Sequence, residues 1–313
     1  MMISPRILFN ECYGNYAVPA INVFTLEQVL GVFRAADTSR APVIIQTTPV
    51  ARDYATPMVL TAMVEAAARA YPNVVFALHL DHGNERHIAH AIDSGQYSSV
   101  MIDASHDALE RNIGRTREMV SMAHRKGVFV EAELGVLSGV EDDLRIAESA
   151  SKYTQPEDAA YFVQSTGCDS LAVAVGTSHG AYKFSGEQGI RFDILRAIQQ
   201  RLPRFPLVLH GGSSVDPQEL ARINEAGGQM QQGARGVSDE ELRRSTGFGI
   251  CKVNIATDLR VLWTRVHREF FTAHPEQFDP LVPGRAYVEA LEKLCVEKFE
   301  KLGAAGKAGA FLA

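Results

Sequence analysis

Eight short apolar runs, separated by longer segments of helical character, constrain the fold of this 313-residue chain more than any other feature. The runs are apolar at nearly every position and rich in β-branched residues, which is typical of parallel strands buried on both faces. The segments between them, clearest at 25–40, 58–71 and 108–127, carry apolar residues at helical spacing. Eight such units predict an α/β fold, a (β/α)8 barrel. The predicted strands are residues 17–24, 41–47, 74–80, 98–104, 128–134, 170–176, 205–211 and 250–256.

A doubly wound open sheet is the main alternative for a chain in which strands and helices alternate. That fold would want a glycine-rich phosphate-binding turn after its first strand. Here the first strand continues into AINVFTLEQ, which contains no glycine. Because no linker or repeat interrupts the chain, we expect one barrel domain over 1–313 with a C-terminal helical extension over about 257–304. The segments 135–155 and 227–247 are too long for minimal connections, and we expect functional or mobile loops there.

The charge and composition of the chain narrow its partners and its compartment. A net charge of −6 gives no basic surface for nucleic acid or for an anionic membrane, so a phosphate ligand would have to be bound locally. The N-terminus lacks the features of a signal peptide, and no apolar run reaches the roughly 18 residues of a membrane helix. We therefore expect a soluble cytoplasmic protein. Its four widely spaced cysteines are expected to be reduced and mostly buried.

Polar residues stand at the carboxyl ends of all eight predicted strands. In a barrel these ends project to one face, which is where enzymes of this fold build their active sites. A single polar residue at a strand end can simply start a loop, but a complete set around the barrel indicates a site. The set comprises Asn22, Gln46, Thr47, Thr48, Asp81, His82, Asp103, Glu131, Glu133 and Asn254, with the turns GTSHG (176–180) and HGGSS (210–214).

Three histidines, His82, His179 and His210, occupy equivalent positions just past different predicted strands. A lone histidine beside a strand is more often structural than a metal ligand. Three at one barrel mouth, with acidic residues nearby, favour a divalent metal site, because imidazole nitrogens suit zinc and Lewis-acid catalysis needs an open coordination position. His79 lies further into the same strand as His82, so we expect it in the barrel interior or beside the ligands. The others are predicted to be structural: His87, His90, His106, His124, His267 and His274.

Two carboxylates, Asp81 and Glu141, are candidates for proton transfer. Asp81 immediately precedes His82. It either orients that histidine or stands beside the open metal position and moves a proton on the substrate, and we favour the second role. Glu141 lies in the segment GVEDD and could swing in as a base. The alternative for Glu141 is a place in a solvated acidic loop.

Glycines beside two of the three histidines indicate phosphate binding. In GTSHG and HGGSS they allow backbone N–H groups to approach an anion closely. Strands seven and eight of a barrel also flank its usual phosphate position. Ser213, Asn254 and Thr257, with Lys183 nearby, could complete the contacts to the phosphate oxygens.

Seven motifs in this order and spacing resemble the class II, metal-dependent fructose-1,6-bisphosphate aldolases: LHLDHG, SSVMIDASH, VEAELGVLSGVEDD, AVGTSHGAYK, LVLHGGSS, KVNIATDLR and KFEKLGAAGKA. The resemblance runs from about residue 5 to residue 308. It implies Zn²⁺, replaceable by Co²⁺ or Fe²⁺, on His82, His179 and His210, with Glu133 as an auxiliary carboxylate. It also implies that Asp81 serves the C4 hydroxyl of the sugar as acid and base, and that Glu141 moves the C3 proton.

The same resemblance implies the substrate contacts. A monovalent cation, Na⁺ or K⁺, is expected on backbone carbonyls around Gly180 and Gly211. The resemblance further implies a homodimer or homotetramer, with a small phosphorylated sugar as the substrate. The implied substrate and phosphate contacts are Asn22, Thr48, Gly180, Lys183, Gly211, Gly212, Ser213, Asn254 and Thr257.

Two positions depart from the family pattern. Ala256 stands where the fructose-bisphosphate enzymes usually carry an aspartate, and alanine there resembles the tagatose-1,6-bisphosphate aldolases. Leu281 stands where the family carries an arginine for the distal phosphate, so either Arg285 substitutes for it or the distal phosphate is not recognised. We predict fructose-1,6-bisphosphate cleavage, with tagatose 1,6-bisphosphate or another ketose 1-phosphate as the alternative substrate.

Two other classes of protein are the remote alternatives. A non-catalytic phosphosugar-binding barrel would not need Asp81, Glu141 and the three histidines, since binding alone uses no acid or base. A metal-dependent hydrolase on a barrel would typically want an H-x-H pair at the end of the first strand, where this chain has Ala20, Ile21 and Asn22.

Overall fold

The computed structural model describes residues 1–137, 139–141, 144–146, 152–178, 180, 189–231 and 236–312. Its strands are β1 (Val18–Asn22), β2 (Val43–Thr47), β3 (Phe76–Gly83), β4 (Ser99–Ile102), β5 (Phe129–Leu134), β6 (Gly139–Glu141), β7 (Leu144–Ile146), β8 (Ser170–Val173), β9 (Leu207–Leu209) and β10 (Ile250–Ile255). Eight of them close into a parallel barrel in the order β1-β10-β9-β8-β5-β4-β3-β2. The barrel prediction is confirmed, and the open sheet is excluded because β1 pairs with both β2 and β10.

The helices alternate with the barrel strands and cover the outside of the sheet. They are α1 (Pro5–Cys12), α2 (Leu26–Ser39), α3 (Pro49–Ala55), α4 (Pro57–Ala70), α5 (Glu85–Ser94), α6 (Leu109–His124), α7 (Pro156–Thr166), α8 (Phe192–Arg201), α9 (Pro217–Glu225), α10 (Asp239–Ser245), α11 (Thr257–Ala273) and α12 (Leu281–Lys301). The predicted helical segments 25–40, 58–71 and 108–127 correspond to α2, α4 and α6. None of the described helices is long and apolar enough to span a membrane.

Local sequence signals set several helix starts. Proline, whose missing N–H is harmless in the first helical turn, opens α1, α3, α4, α7 and α9. The residue before the proline often caps the helix, as where the Thr48 hydroxyl accepts a hydrogen bond from the Ala51 N–H at 3.2 Å. These signals explain why α3 begins at Pro49, only two residues after β2 ends at Thr47.

The two long segments between strands hold more structure than loops. In the first segment, β6 (Gly139–Glu141) and β7 (Leu144–Ile146) pair as an antiparallel ribbon. The segment 227–247 ends in α10, so the prediction of a loop throughout is wrong there. Ser238 caps α10 in a reciprocal pair with Glu241, whose carboxylate accepts from the Ser238 N–H. This S-x-x-E pattern is a helix-start signal that the sequence carries.

The C-terminal residues after α12 fold back onto the barrel. The Gly306 N–H donates to the Ser39 carbonyl at 2.8 Å, and the Ala308 N–H donates to the Arg40 carbonyl at 2.9 Å. Ala304 and Ala308 are buried. Small residues therefore let this tail pack closely beside the end of α2. All four cysteines are buried thiols without disulfides, as predicted.

Candidate metal and active site

The carboxyl ends of the barrel strands bring the described part of the predicted site together. Two groups of three side chains could each hold a metal ion, because within each group the potential ligand atoms lie within 4.8 Å of one another. They are Asp81, His82 and His210, and His82, Asp103 and Glu133. These residues come from β3, β5 and the ends of β4 and β9, so strands from two parts of the barrel circumference bring the candidate ligands together at one end of the barrel. His179 lies outside the described residues, and only the backbone of Glu141 is described.

A local distortion of β3 lets two consecutive residues face the same site. Successive side chains of a regular strand point to opposite faces. His82 has a φ of +46°, and the pairing of β3 with β4 shifts register between Leu80 and Gly83. A side chain on Gly83 would place its Cβ 2.8 Å from the Met101 carbonyl oxygen. Glycine therefore permits the bend that turns both Asp81 and His82 into the barrel mouth.

His82 and His210, the two candidate metal ligands among the described histidines, each contact a carboxylate. The Nδ1 atom of His82 lies 3.0 Å from Asp103, and the Nε2 atom of His210 lies 3.1 Å from Glu131. The two rings meet edge to face with centroids 4.8 Å apart. A carboxylate that accepts from one ring nitrogen directs the lone pair to the other. This arrangement presents Nε2 of His82 and Nδ1 of His210 as ligand atoms.

The charges at this centre fit a divalent cation. Burial and the nearby carboxylate of Asp103 raise the pKa of Glu133 well above its ordinary value. Its Oε2 atom is buried and makes no hydrogen bond with the described residues. Burial lowers the pKa of His82, but the charges of Asp81 and Asp103 outweigh it and raise that pKa to about 10. A metal would replace this proton and balance the carboxylates, and histidine with carboxylate suits zinc and related ions.

Asp81 is fully buried between two asparagines. Its carboxylate accepts a hydrogen bond from the Asn22 amide at 2.8 Å and one from the Asn254 amide at 3.1 Å. Burial raises the pKa of Asp81, but the positive charges of His82 and Lys252 hold it well below the ordinary range. The lowered pKa and the two amide hydrogen bonds therefore keep Asp81 as an ionised carboxylate of fixed orientation at the barrel mouth.

Gln46 extends this amide chain; the sequence placed it among the polar residues at strand ends but gave it no specific role. Its side-chain amide donates to the Asn22 carbonyl oxygen at 2.8 Å, which fixes the orientation of Asn22 toward Asp81. The Gln46 Oε1 and Asn254 Oδ1 atoms are buried and make no hydrogen bond within the described ranges. Buried acceptors usually have a hydrogen-bond donor. These two amide oxygens, on either side of the Asp81 carboxylate, therefore suit a ligand rich in hydroxyl groups.

A second buried network lies beneath the metal ligands. Lys252 donates to Glu131 at 2.7 Å and lies 3.2 Å from His79, whose Nδ1 lies 2.8 Å from the Ser99 hydroxyl. Burial and the Lys252 charge lower the pKa of His79 to about 3. The expectation that His79 lies in the barrel interior agrees with this position. Lys252 was missed, although a lysine inside an otherwise apolar strand is itself a signal of a buried ion pair.

The residues predicted for phosphate binding surround the start of α11. Gly211 has a φ of +67°, and a Cβ there would collide with the Ser178 carbonyl. The Ser213 hydroxyl accepts from the Ala256 N–H at 3.3 Å and from the Asp258 N–H at 3.4 Å. The Gly212 N–H donates to the Asn254 carbonyl at 2.9 Å. Thr257 is the first residue of α11, so this loop lies at a helix N-terminus, where anions are favoured.

The remaining predicted residues are less closely grouped. Thr48 is buried and its hydroxyl caps α3. Gly180 is described, with a φ of +84°, whereas Lys183 lies outside the described residues. Leu281 begins α12 with 62% of its surface exposed, and Arg285 is exposed one turn later. A Cβ on Gly284 would lie 3.7 Å from Glu27, so α12 begins beside the start of α2, on the barrel face that carries the site.

Known proteins resemble this chain along nearly its whole length. The family model described as fructose-bisphosphate aldolase class-II matches residues 6–307. The fructose-bisphosphate aldolase of Giardia intestinalis is 43% identical over 300 residues, which are 94% of this chain and 90% of that protein. The fructose-bisphosphate aldolase of Treponema pallidum is 41% identical over 331 residues, 98% of each chain.

A solved structure agrees with the barrel. The crystal structure of the YdjI aldolase from Escherichia coli K12 is 30% identical and superposes with a TM-score of 0.78, covering 98% of this chain and 100% of that one. The resemblance indicated by the seven motifs is thereby confirmed, and the chain belongs to the class II fructose-bisphosphate aldolase family.

Proposed function

We propose that this protein is a zinc-dependent aldolase that reversibly cleaves fructose 1,6-bisphosphate to dihydroxyacetone phosphate and glyceraldehyde 3-phosphate. The observation that carries the proposal is the ionised, buried Asp81 beside His82 and His210, with a glycine loop at the start of α11 across the same barrel mouth. The relatives that match most of the chain bear the name of this activity.

The metal ligands in this proposal are His82, His179 and His210, with Glu133 as an auxiliary carboxylate. These residues would hold a divalent cation, which would supply Lewis-acid polarisation of the ketose carbonyl. Asp103 and Glu131 hold the rings of His82 and His210, so the ligand atoms need little rearrangement when the ion binds.

Asp81 is the acid and base that exchanges a proton with the C4 hydroxyl. Each of its oxygens accepts one asparagine amide and keeps a lone pair for a substrate hydroxyl. In cleavage Asp81 takes the hydroxyl proton, the C3–C4 bond breaks, and its electron pair stays with C3. Glu141 then delivers a proton to C3 of the departing three-carbon phosphate. Aldol addition is the reverse sequence, with each group in its opposite protonation state.

The phosphate next to the ketone binds the loop 211–213 with Asn254, Thr257, Gly180 and Lys183. The N-terminal N–H groups of α11 favour a dianion at this place. A Na⁺ or K⁺ ion on backbone carbonyls near Gly180 and Gly211 accompanies the phosphate. Asn22 and Thr48 complete the substrate contacts, and the protein acts as a homodimer or homotetramer, which sedimentation velocity tests directly.

Tagatose 1,6-bisphosphate is the second candidate substrate. Ala256 sits immediately before α11 and carries no carboxylate, so it cannot accept a hydrogen bond from a sugar hydroxyl as an aspartate could. The two bisphosphates differ only in configuration at C4, which Asp81 serves. Loss of one acceptor beside the sugar therefore weakens discrimination between them.

The experiment that tests the proposal compares steady-state cleavage of fructose 1,6-bisphosphate, tagatose 1,6-bisphosphate and fructose 1-phosphate by the zinc-loaded protein. We expect fructose 1,6-bisphosphate to have the highest kcat/KM. A higher value for tagatose 1,6-bisphosphate would reassign the substrate and leave the reaction unchanged. Failure to cleave all three would overturn the aldolase proposal.

A further inference from the structure

Two of the sequence motifs meet at a place that the proposed chemistry does not use. KVNIATDLR contains Asp258 in the first turn of α11, and KFEKLGAAGKA begins with Lys298 near the end of α12. The Lys298 ammonium lies 3.2 Å from the Asp258 carboxylate, although forty residues separate the two in sequence. Both side chains are almost completely buried, with 5% and 6% exposed.

Asp258 fixes the end of the phosphate-binding loop. Its two carboxylate oxygens accept backbone hydrogen bonds from the Ser214 N–H at 3.0 Å and the Val215 N–H at 2.8 Å. Val215 is buried with a φ of +48°, a left-handed conformation that a β-branched residue rarely adopts. Such strain persists only where the surroundings hold it. The hydrogen bond from Val215 to Asp258 is the contact that does so.

Lys298 completes this arrangement from the other side. It donates to the Ser214 hydroxyl at 2.7 Å, so it contacts both the loop and the carboxylate that holds the loop. The other charges that face it are Asp239, at 3.7 Å, and Lys301, which pairs with Asp239 at 2.8 Å. Lys298 therefore places a buried positive charge in direct contact with the Asp258 carboxylate.

We propose that Lys298 is a positioning residue for phosphate binding, acting through Asp258 and Ser214 on the loop from Gly211 to Val215. This inference rests on the proposed function, since it assigns the loop to the substrate phosphate. Asp258 alone would place a negative charge close to a dianion. The Lys298 ammonium offsets that charge and keeps the loop N–H groups and the start of α11 in their binding geometry.

The consequence is that Lys298, near the C-terminal end of α12, sets the affinity for this phosphate without touching the substrate. A cavity of about 460 Å³, lined in part by Ser214, Asp258 and Lys298, adjoins the ion pair. It leaves room for a guanidinium in place of the ammonium. Lys298→Arg should therefore keep the positive charge beside Asp258 and retain most of the function.

The test uses the metal-loaded full chain and compares Lys298→Met with Lys301→Met. Lys301 is the matched control, because it lies on the same helix and pairs with Asp239 but not with Asp258. Binding of inorganic phosphate is measured by isothermal titration calorimetry, and KM and kcat are measured for the best ketose bisphosphate. For Lys298→Met we expect phosphate affinity to fall and KM to rise about tenfold, the order expected for one lost charge-assisted hydrogen bond, with kcat within about twofold.

The controls separate positioning from general damage. Lys301→Met should stay within about twofold of the wild type in both measurements, and Lys298→Arg should recover most of the affinity that Lys298→Met loses. Unchanged phosphate affinity in Lys298→Met, an equal loss in Lys301→Met, or a fall in kcat with KM unchanged would each overturn the inference. If Lys298→Met does not fold, Ser214→Ala removes the hydroxyl that accepts from Lys298 at 2.7 Å and donates to Asp258 at 3.3 Å. Unchanged phosphate affinity in that variant would also overturn the inference.

The outcomes for the proposed function are distinct. A wild-type protein that binds phosphate in a Lys298-dependent way but cleaves no ketose phosphate would sink the aldolase proposal and support the positioning role. If the wild-type protein cleaves the bisphosphate and Lys298→Met binds phosphate as well as the wild type, the aldolase proposal is supported and the positioning role of Lys298 is overturned. A wild-type protein that binds no inorganic phosphate would overturn the positioning role.

Discussion

The metal end of the site and its distal end are built in different ways. At the metal end, buried side chains from different barrel strands hold one another, as His82 is held by Asp103 and His210 by Glu131. At the distal end, Leu281 and Arg285 are exposed on the first turns of α12, outside the barrel. The difference teaches that the barrel strands fix the buried groups of the candidate metal site, whereas the positions that depart from the family pattern at Leu281 and Arg285 lie on an exposed helix turn that can change without disturbing those groups.

Of the changes considered for the two ends of the site, metal removal is expected to reduce the cleavage activity most. Dialysis against a chelator should abolish carbon–carbon cleavage, and Zn²⁺ or Co²⁺ should restore it, because the ketose carbonyl is not polarised without the ion. The measurement is activity against metal content determined by atomic emission. Borohydride added with substrate should trap no covalent adduct, and a trapped lysine adduct would contradict the metal-dependent mechanism.

Asp81→Ala should lower kcat about a thousandfold, since a positioned acid or base contributes on the order of 10²–10⁴ in rate. The variant should still bind the metal, because His82 and His210 keep their own carboxylate partners. Steady-state kinetics and metal content check the two halves of the prediction. Asp53→Ala, on an exposed aspartate, is the control and should behave as wild type. Turnover near normal in Asp81→Ala would instead make Asp81 a residue that only orients His82.

Glu131→Gln should weaken metal binding about 10–100-fold, the range seen when a partner of a histidine ligand is replaced. The amide can no longer fix the ring of His210 as the carboxylate does, and Lys252 loses its anion. Competition with a zinc indicator measures the affinity. Glu157→Gln, which removes an exposed glutamate from a surface ion pair with Arg201, serves as the control and should leave affinity unchanged. Wild-type affinity in Glu131→Gln would show that His210 needs no carboxylate.

The smallest effect is expected at the distal end. Removing the 6-phosphate, by replacing fructose 1,6-bisphosphate with fructose 1-phosphate, should change kcat/KM by less than about fivefold, because exposed charges interact weakly with a ligand. Arg285→Ala should then be close to wild type with both substrates. A large preference for the bisphosphate that disappears in Arg285→Ala would show that Arg285 recognises the distal phosphate.

Much of the fold and of the metal end follows from the sequence, because both depend on local patterns. Apolar β-branched runs marked the strands, and polar residues at their ends marked Asp81, His82 and His210. The bend at His82 could not be predicted, since it depends on the register of β3 against β4 and on the space beside Gly83. The helix α10 was missed although Ser238 and Glu241 carry its start signal.

Contacts between distant segments were the hardest to predict. Lys252 is read as part of a strand, and only closure of the barrel brings it against Glu131 and His79. Lys298 is read as part of an amphipathic helix, and its contact with Asp258 depends on how α12 packs beside α11. Periodicity assigns a residue to a face of its own element but does not say which charge it will meet there.

The central claim is that the barrel mouth holds a catalytic metal between His82 and His210. An anomalous difference map from zinc-soaked crystals, collected on both sides of the zinc absorption edge, tests it most directly. The account predicts one strong peak bound by Nε2 of His82 and Nδ1 of His210, absent below the edge. Zinc-dependent activity with no peak between these two rings would contradict it.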